Sequence, residues 1–190
     1  MLLEKGHTVI GGSRRTGFDQ SDEACWRELK KVSPFDLIFV NAGICEFDPE
    51  SEYENSYDIV NVNFRGVYYA LRNLPDLLVP GGSCWVTSSS CAYNSSVEHP
   101  MYAASKTAAC ELVKSFAKAY DGKYKVNAIL PGFVATNLGG QHGKIPSELL
   151  QSVPLKRAMS SYEAAEDMFK LASIDYLNGA LIVIDGGEHA

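Results

Sequence analysis

After Asp36 the chain runs Leu37-Ile38-Phe39-Val40 without a polar residue, then breaks at Asn41-Ala42-Gly43. A strand of that kind shows no alternation between an inner and an outer face. It is expected to be buried on both, which is the condition of a strand inside a parallel sheet. A parallel sheet in turn demands crossover connections, usually helices. The rest of the chain supplies that alternation. His7 to Gly12 reads as a short buried strand, and Gly17-Phe18-Asp19 as another brief one. Ser21-Asp22-Glu23 opens a helix in N-cap style that runs to about Val32, where Pro34 stops it. Glu46 to Asn55 is polar and reads as a loop. A long helix is expected from roughly Tyr57 to Leu74, closed by Pro75 and Pro80-Gly81-Gly82. Ser83 to Thr87 is the next strand, and the Ser88-Ser89-Ser90 run begins a loop lasting to Pro100. A helix to about Tyr120 follows, with a face of small and apolar residues. Lys125 to Leu130 is a strand ending at Pro131-Gly132, and Ala135 to Ser160 reads as a loose segment. Helix Tyr162 to Leu171 and strand Ala180 to Ile184 lead to Asp185-Gly186-Gly187. Strand followed by helix, repeated, predicts an α/β fold with a doubly wound parallel sheet in one domain spanning 1–190.

In such sheets the chemistry gathers at the carboxyl ends of the strands. Arg14, Asn41, Ser89 and Pro131 all fall at predicted strand ends, and the helix carrying Tyr102 starts at the same rim. Tyr102 and Lys106 are four residues apart, which places them on one helical face. An ammonium beside a phenol favours the phenolate, so the spacing predicts a tyrosine with a lowered pKa that exchanges protons near neutrality. The pair taken alone is more often a shared surface turn.

Composition narrows the partners. The net charge is -6 and no basic run occurs, which argues against nucleic acid and anionic membranes. The five cysteines (Cys25, Cys45, Cys84, Cys91 and Cys110) lack CxxC spacing, and the four histidines show no ligand spacing. They read as core thiols of a reducing, cytoplasmic protein without a metal site. No apolar run reaches the length of a membrane span, and Glu4 and Lys5 interrupt any signal-peptide pattern. Gly139-Gly140-Gln141-His142-Gly143-Lys144 imitates a phosphate loop. Leu138 stands where such a loop needs its first glycine, and Ile145 where it needs Ser or Thr. It reads as a substrate-side loop with an exposed His142.

Taken in order, these pieces resemble the short-chain dehydrogenase/reductase family in its compact, Rossmann-like single-domain form. The resemblance rests on the arginine-bearing end of the second strand, Asn41-Ala42-Gly43, Val62-Asn63-Phe64, Thr87-Ser88-Ser89 and Tyr102-x3-Lys106. Val126-Asn127-Ala128-Ile129-Leu130-Pro131-Gly132 and Asp185-Gly186-Gly187 complete it. It covers nearly the whole chain from about Leu2. It implies an oxidoreductase that moves a hydride between a nicotinamide cofactor and a carbonyl or alcohol. Tyr102 would be the acid/base, Lys106 would lower its pKa and hold the nicotinamide ribose, and Ser89 would hold the substrate oxygen. Asn63 would order a water linking Lys106 to solvent. Ser89 lies thirteen residues before Tyr102 and seven after Gly82. Both spacings suit the family better than those of Ser90, which takes the role if the loop is one residue shorter.

Asn41, Ala42 and Gly43 would pass close to the cofactor, and Pro131, Gly132, Val134 and Thr136 would border the nicotinamide. Asp19 would sit near the adenine. A 2′-phosphate calls for guanidinium where a bare 2′-hydroxyl calls for carboxylate. Ser13-Arg14-Arg15 carries no acid, so Arg14 points to NADP(H) over NAD(H). The family's habits imply a homodimer or homotetramer built on the two long helices.

One family element is missing from the sequence as written. The opening strand and its Gly-x3-Gly-x-Gly turn, which receives the pyrophosphate, are not found, and Leu2 to Gly6 reads as the end of the following helix. Three readings stay open: a natural, partly inactive product; a start upstream of Met1; or a segment supplied by another chain. On this ground the 190-residue chain is expected to bind NADP(H) poorly. The alternatives to the reductase are a non-catalytic binding or regulatory module of the same fold, and an epimerase or dehydratase sharing Tyr-x3-Lys.

Overall fold

Four parallel strands form the sheet of the computed structural model, lying side by side in the order in which they follow along the chain. They are β1 (Phe35–Val40), β2 (Leu78–Thr87), β3 (Lys125–Pro131) and β6 (Leu181–Ile184). The structure describes residues 3–46, 49–94, 96, 98–138 and 144–189. The glycine-rich stretch 139–143, with His142, lies outside them; Lys144 at its end is exposed.

The crossovers are helical. Between β1 and β2 lie α2 (Pro49–Glu54), α3 (Ser56–Val60) and α4 (Gly66–Leu77); between β2 and β3 lies α5 (Pro100–Ala119). Leu71, Leu74 and Leu77 of α4 and Val113 of α5 are wholly buried against Val86, Val126, Ala128 and Leu130 of the sheet. This packing is the main core. Burial at that density removes apolar area from water at roughly 25 cal/mol per Å2. The remaining elements are α1 (Glu23–Glu28), the short parallel pair β4 (Val134–Ala135) and β5 (Met159–Ser160), α6 (Ser147–Leu150) and α7 (Ser161–Ala172). α7 starts in a capping box in which Ser160 and Glu163 exchange hydrogen bonds.

The structure corrects several expectations. Residues 7–12 form no strand: they are exposed, with Val9 at 45% and Ile10 at 52%. A strand needs a ladder partner, and among the described residues none is seated against this segment. Gly17-Phe18-Asp19 is likewise no strand. A 3-10 turn at Arg14–Thr16 ends on Gly17, whose φ of 81° the absence of a side chain permits. β1 is half-buried along most of its length, with only Val40 fully buried, because it edges the described sheet. The polar stretch read as a loop contains α2. The long helix starts one residue early at Ser56 and runs through Pro75 to Leu77.

That helix is not uniform. Over Asn61–Arg65 it widens, and the Gly66 amide bonds Asn61 five residues back instead of Val62 four back. Wide turns of this type occur often at functional sites, and this one carries Asn63.

Candidate active site

The site assembles where β1 and β2 end and α5 begins. Pro100 occupies the first turn of α5, where its missing N–H costs nothing. Tyr102 and Lys106 then fall one turn apart on the inward face, 8% and 4% exposed. Lys106 Nζ lies 5.7 Å from the centre of the Tyr102 ring and donates to the Thr87 carbonyl at the end of β2, 2.9 Å away. Ser88 Oγ donates to the Lys106 carbonyl at 2.9 Å, so the strand end and the helix hold each other. Ser89 shares a side-chain hydrogen bond with the Tyr102 hydroxyl and accepts one from the Cys91 amide. Of the serine run, Ser89 is therefore the member bonded to Tyr102. Ser90, buried, opens a 3-10 turn.

Asn63 is completely buried. Its Oδ1 accepts from the Ile44 amide at 2.9 Å, and its Nδ2 donates to the Ile44 carbonyl at 2.8 Å and to Ser105 Oγ at 3.1 Å. The side chain thus pairs with the backbone as a neighbouring strand would. Ser105 Oγ donates to the Tyr102 carbonyl at 2.7 Å. Thr87 Oγ1 donates to Asn41 Oδ1 at 2.9 Å, clipping the ends of β1 and β2 together. At Gly43 a β-carbon would stand 3.1 Å from Lys106 Nζ and 3.2 Å from Asn63 Oδ1. Glycine is what lets this turn approach both groups.

Electrostatics depart from the simple expectation that Lys106 acidifies Tyr102. Burial raises the Tyr102 phenol well above its ordinary value, with Cys45 and Cys91 adding to the rise and the Ser89 hydrogen bond opposing it. Burial also pushes Lys106 down to about 8, with Cys45 and Cys110 opposing. A buried charge is costly without a close partner, and here desolvation outweighs the attraction at 5.7 Å. The resting pair therefore holds a protonated phenol, a ready donor, beside a lysine that titrates near neutrality.

The other expected cofactor residues form two groups. Arg14 and Asp19 are ion-paired at 2.9 Å, the arginine exposed and the aspartate half-buried. Asp19 Oδ1 also accepts from the Ser21 amide and hydroxyl. Ala42 offers its carbonyl to Gln20 Nε2 at 2.8 Å. Pro131 ends β3 opposite Ile184. The Gly132 amide bonds the Ile184 carbonyl at 3.2 Å, and a β-carbon at Gly132 would lie 2.9 Å from the Asp185 Cα. Val134 belongs to β4, and Thr136 Oγ1 accepts from the Leu138 amide at 3.3 Å. Both are half-buried. A nicotinamide dinucleotide suits this rim: a backbone turn without a side chain at Gly43 faces an amine and an amide oxygen.

Residue-by-residue reading missed Gln20, Thr87 and Ser105. Ser105 sits inside the Tyr-x3-Lys segment, three residues after Tyr102, and its position was the available signal. Thr87 contributes a main-chain oxygen, which no side-chain pattern reveals.

Residues 18–189 match the family described as Enoyl-(Acyl carrier protein) reductase. L-rhamnose-1-dehydrogenase of Scheffersomyces stipitis is 31% identical over 171 residues, covering 84% of this chain and 66% of that protein. The 3-oxoacyl-[acyl-carrier-protein] reductase FabG of Thermotoga maritima is 30% identical over 187 residues, covering 90% of this chain and 73% of that protein. The chain thus spans about two thirds to three quarters of these relatives. Among solved structures, a blue fluorescent protein from a metagenomic library in complex with NADPH superposes with a TM-score of 0.80. It is 25% identical, with 91% of this chain and 74% of that one covered. With the parallel sheet, the Tyr102–Lys106 turn and the Asn41–Gly43 approach all in place, the chain belongs to the short-chain dehydrogenase/reductase family.

Proposed function

We propose that this protein is an NADP(H)-dependent oxidoreductase acting on a small carbonyl/alcohol pair, with Tyr102 as the acid/base. The observation that carries the reading is the bonded set Ser89–Tyr102, with Lys106 one turn behind it. When bound, the cofactor would supply or accept the hydride. Ser89 would hold the substrate oxygen where negative charge develops. Tyr102, held neutral by burial, would deliver its proton to that oxygen in reduction and recover one through Lys106. Asn63 would keep Ile44 and the Gly43 turn fixed behind Lys106. Val134 and Thr136, beyond the Pro131-Gly132 turn, would border the nicotinamide.

The preference for NADP(H) is supported by Arg14. Asp19 engages its Nε, and a guanidinium carries further N–H donors for a 2′-phosphate. Free cysteines fit a reducing cytoplasm. Among the described residues no helix is long and apolar enough to cross a membrane. A homodimer or homotetramer would use the outer faces of α4 and α5, where Tyr68 of α4, 38% exposed, meets Phe116 of α5 edge-on.

The test follows NADPH absorbance with a panel of ketones, for wild type and Tyr102→Phe. General acid catalysis is worth roughly 10^2- to 10^4-fold, so Tyr102→Phe should lose at least about a hundredfold in kcat while still binding NADPH. Equal turnover in the two proteins would remove Tyr102 from the chemistry. Absence of NADPH binding and turnover in wild type would favour a non-catalytic member of the fold.

A further inference from the structure

Gln20 is 5% exposed, and its Nε2 donates to two carbonyls, those of Ala42 and Val62, each at 2.8 Å. Ala42 lies in the turn before Gly43. Val62 lies in the widened helical turn, and its carbonyl is the one passed over when the Gly66 amide bonds Asn61 instead. A buried carbonyl without a donor is costly. The Gln20 amide gives the Val62 carbonyl the donor that the Gly66 amide does not.

The side chain has one seat. The Gln20 carbonyl accepts from the Trp26 indole at 2.8 Å, and a β-carbon at Gly66 would fall 2.8 Å from Gln20 Cγ. One residue beyond each clamped carbonyl stands a group of the active site. After Val62 comes Asn63, bonded to Ile44. After Ala42 comes Gly43, against Lys106 Nζ and Asn63 Oδ1. On the near side of Gln20, Asp19 holds Arg14.

We infer that Gln20 is a positioning residue. Its amide clamps the Asn41–Gly43 turn to the widened turn of the long helix. That clamp fixes Asn63 and Lys106 relative to each other and ties them to the Arg14–Asp19 pair. The kinetic consequence rests on the reading given under Proposed function; the structural consequence does not.

Two variants of the full chain test it. Gln20→Leu keeps much of the volume and removes both donors. Gln20→Glu keeps the shape but turns carboxylate oxygens toward two carbonyl oxygens; once protonated, the acid donates one hydrogen bond again. The measurements are the hydrogen-exchange protection factor of the Ile44 amide, kcat, and KM for NADPH, each across pH. In Gln20→Leu, Ile44 protection and kcat should each fall about tenfold or more, in line with loss of a buried hydrogen-bonded clamp, at every pH. In Gln20→Glu, both should fall at neutral pH and return toward wild type as pH drops through the carboxyl's titration. A residue that merely filled space would leave Ile44 protection and kcat at wild-type values in Gln20→Leu, because leucine keeps much of the volume. That result, or wild-type Ile44 protection in both variants, overturns the inference. Should Gln20→Leu not fold, Gln20→Met, which also lacks the donors, is measured in its place. Should wild type show no turnover, the proposed function falls, and Ile44 protection still decides the role of Gln20.

Discussion

Lys106 Nζ stands 5.7 Å from the centre of the Tyr102 ring and gives a hydrogen bond to the Thr87 carbonyl. Both side chains are buried and both are driven toward their neutral forms. The pair is thus a protonated phenol beside a lysine that loses its proton only from about 8 upward, not a preformed phenolate.

Stability should record this. Lys106 has a folded pKa of about 8 against a free value of 10.5. Below about 8 the cost of the buried charge is present in full. Between 8 and 10.5 the unfolded chain binds more protons than the folded one, so stability rises with pH. Tyr102 acts in the opposite sense, because its raised pKa makes stability fall once pH passes the free phenol value of 10.0. Urea unfolding of wild type and Lys106→Met across alkaline pH isolates the lysine. Cys84 and Tyr120, also raised by burial, contribute equally to both proteins and cancel in the difference; Cys110, whose thiol Lys106 holds lower, is removed by making both proteins in a Cys110→Ala background. The wild type should gain stability relative to Lys106→Met from about pH 8 upward; a flat difference would mean Lys106 titrates normally.

The serine run gives a sharp contrast. Ser89 bonds Tyr102, whereas Ser90 opens a turn. Removing a hydroxyl that stabilises a developing oxyanion costs roughly 10^2- to 10^3-fold in kcat. Ser89→Ala should therefore fall by about a hundredfold in ketone reduction, and Ser90→Ala, which leaves the Ser89 hydroxyl in place, should fall far less. The reverse ranking would transfer the role to Ser90.

Much of this site was legible in the sequence because its chemistry is local. Tyr102 and Lys106 share a face through helical spacing alone, and Ser89, Asn41 and Pro131 sit at strand ends that apolar runs announce. What was not legible depends on partners remote in sequence. Residues 7–12 have the composition of a strand, but β-structure needs a neighbour, and the described sheet brings none to them. The widened turn at Asn61–Arg65 follows from Gln20 supplying a donor 42 residues away, which no periodicity encodes. The pKa of Tyr102 depends on burial by the whole fold, so spacing put the two side chains on one face but gave the wrong direction of shift.

Cofactor choice should turn on Arg14. A charge-assisted hydrogen bond contributes roughly 1.5–3 kcal/mol, or about 10- to 100-fold in affinity. Arg14→Ala should raise KM for NADPH by that factor and leave KM for NADH nearly unchanged. Asp19→Asn removes the carboxylate charge now paired with Arg14 at 2.9 Å. It should disturb both cofactors, because Asp19 also ties down Ser21. Equal losses for NADPH and NADH in Arg14→Ala would remove the arginine from phosphate recognition.

Gly66→Ala reverses the usual rule for helices. Within a helix, replacing glycine by alanine is normally favourable by about 1 kcal/mol. At Gly66 the new methyl group would stand 2.8 Å from Gln20 Cγ, 3.0 Å from the Gln20 carbonyl oxygen and 3.2 Å from its carbon. Two of those atoms are backbone held by the Trp26 indole, so the contact is relieved only by moving the segment before α1 that carries Asp19 and Gln20. Overpacking of this kind costs roughly 1–3 kcal/mol, which exceeds the propensity gain. Gly66→Ala should lower the urea midpoint and raise KM for NADPH through displacement of Gln20 from the Ala42 carbonyl. Combining it with Gln20→Ala, which clears Cγ but not the backbone, should restore only part of the midpoint and none of the KM. A Gly66→Ala protein as stable as wild type would show that the segment around Gln20 yields freely, and that glycine is not required at this crossing.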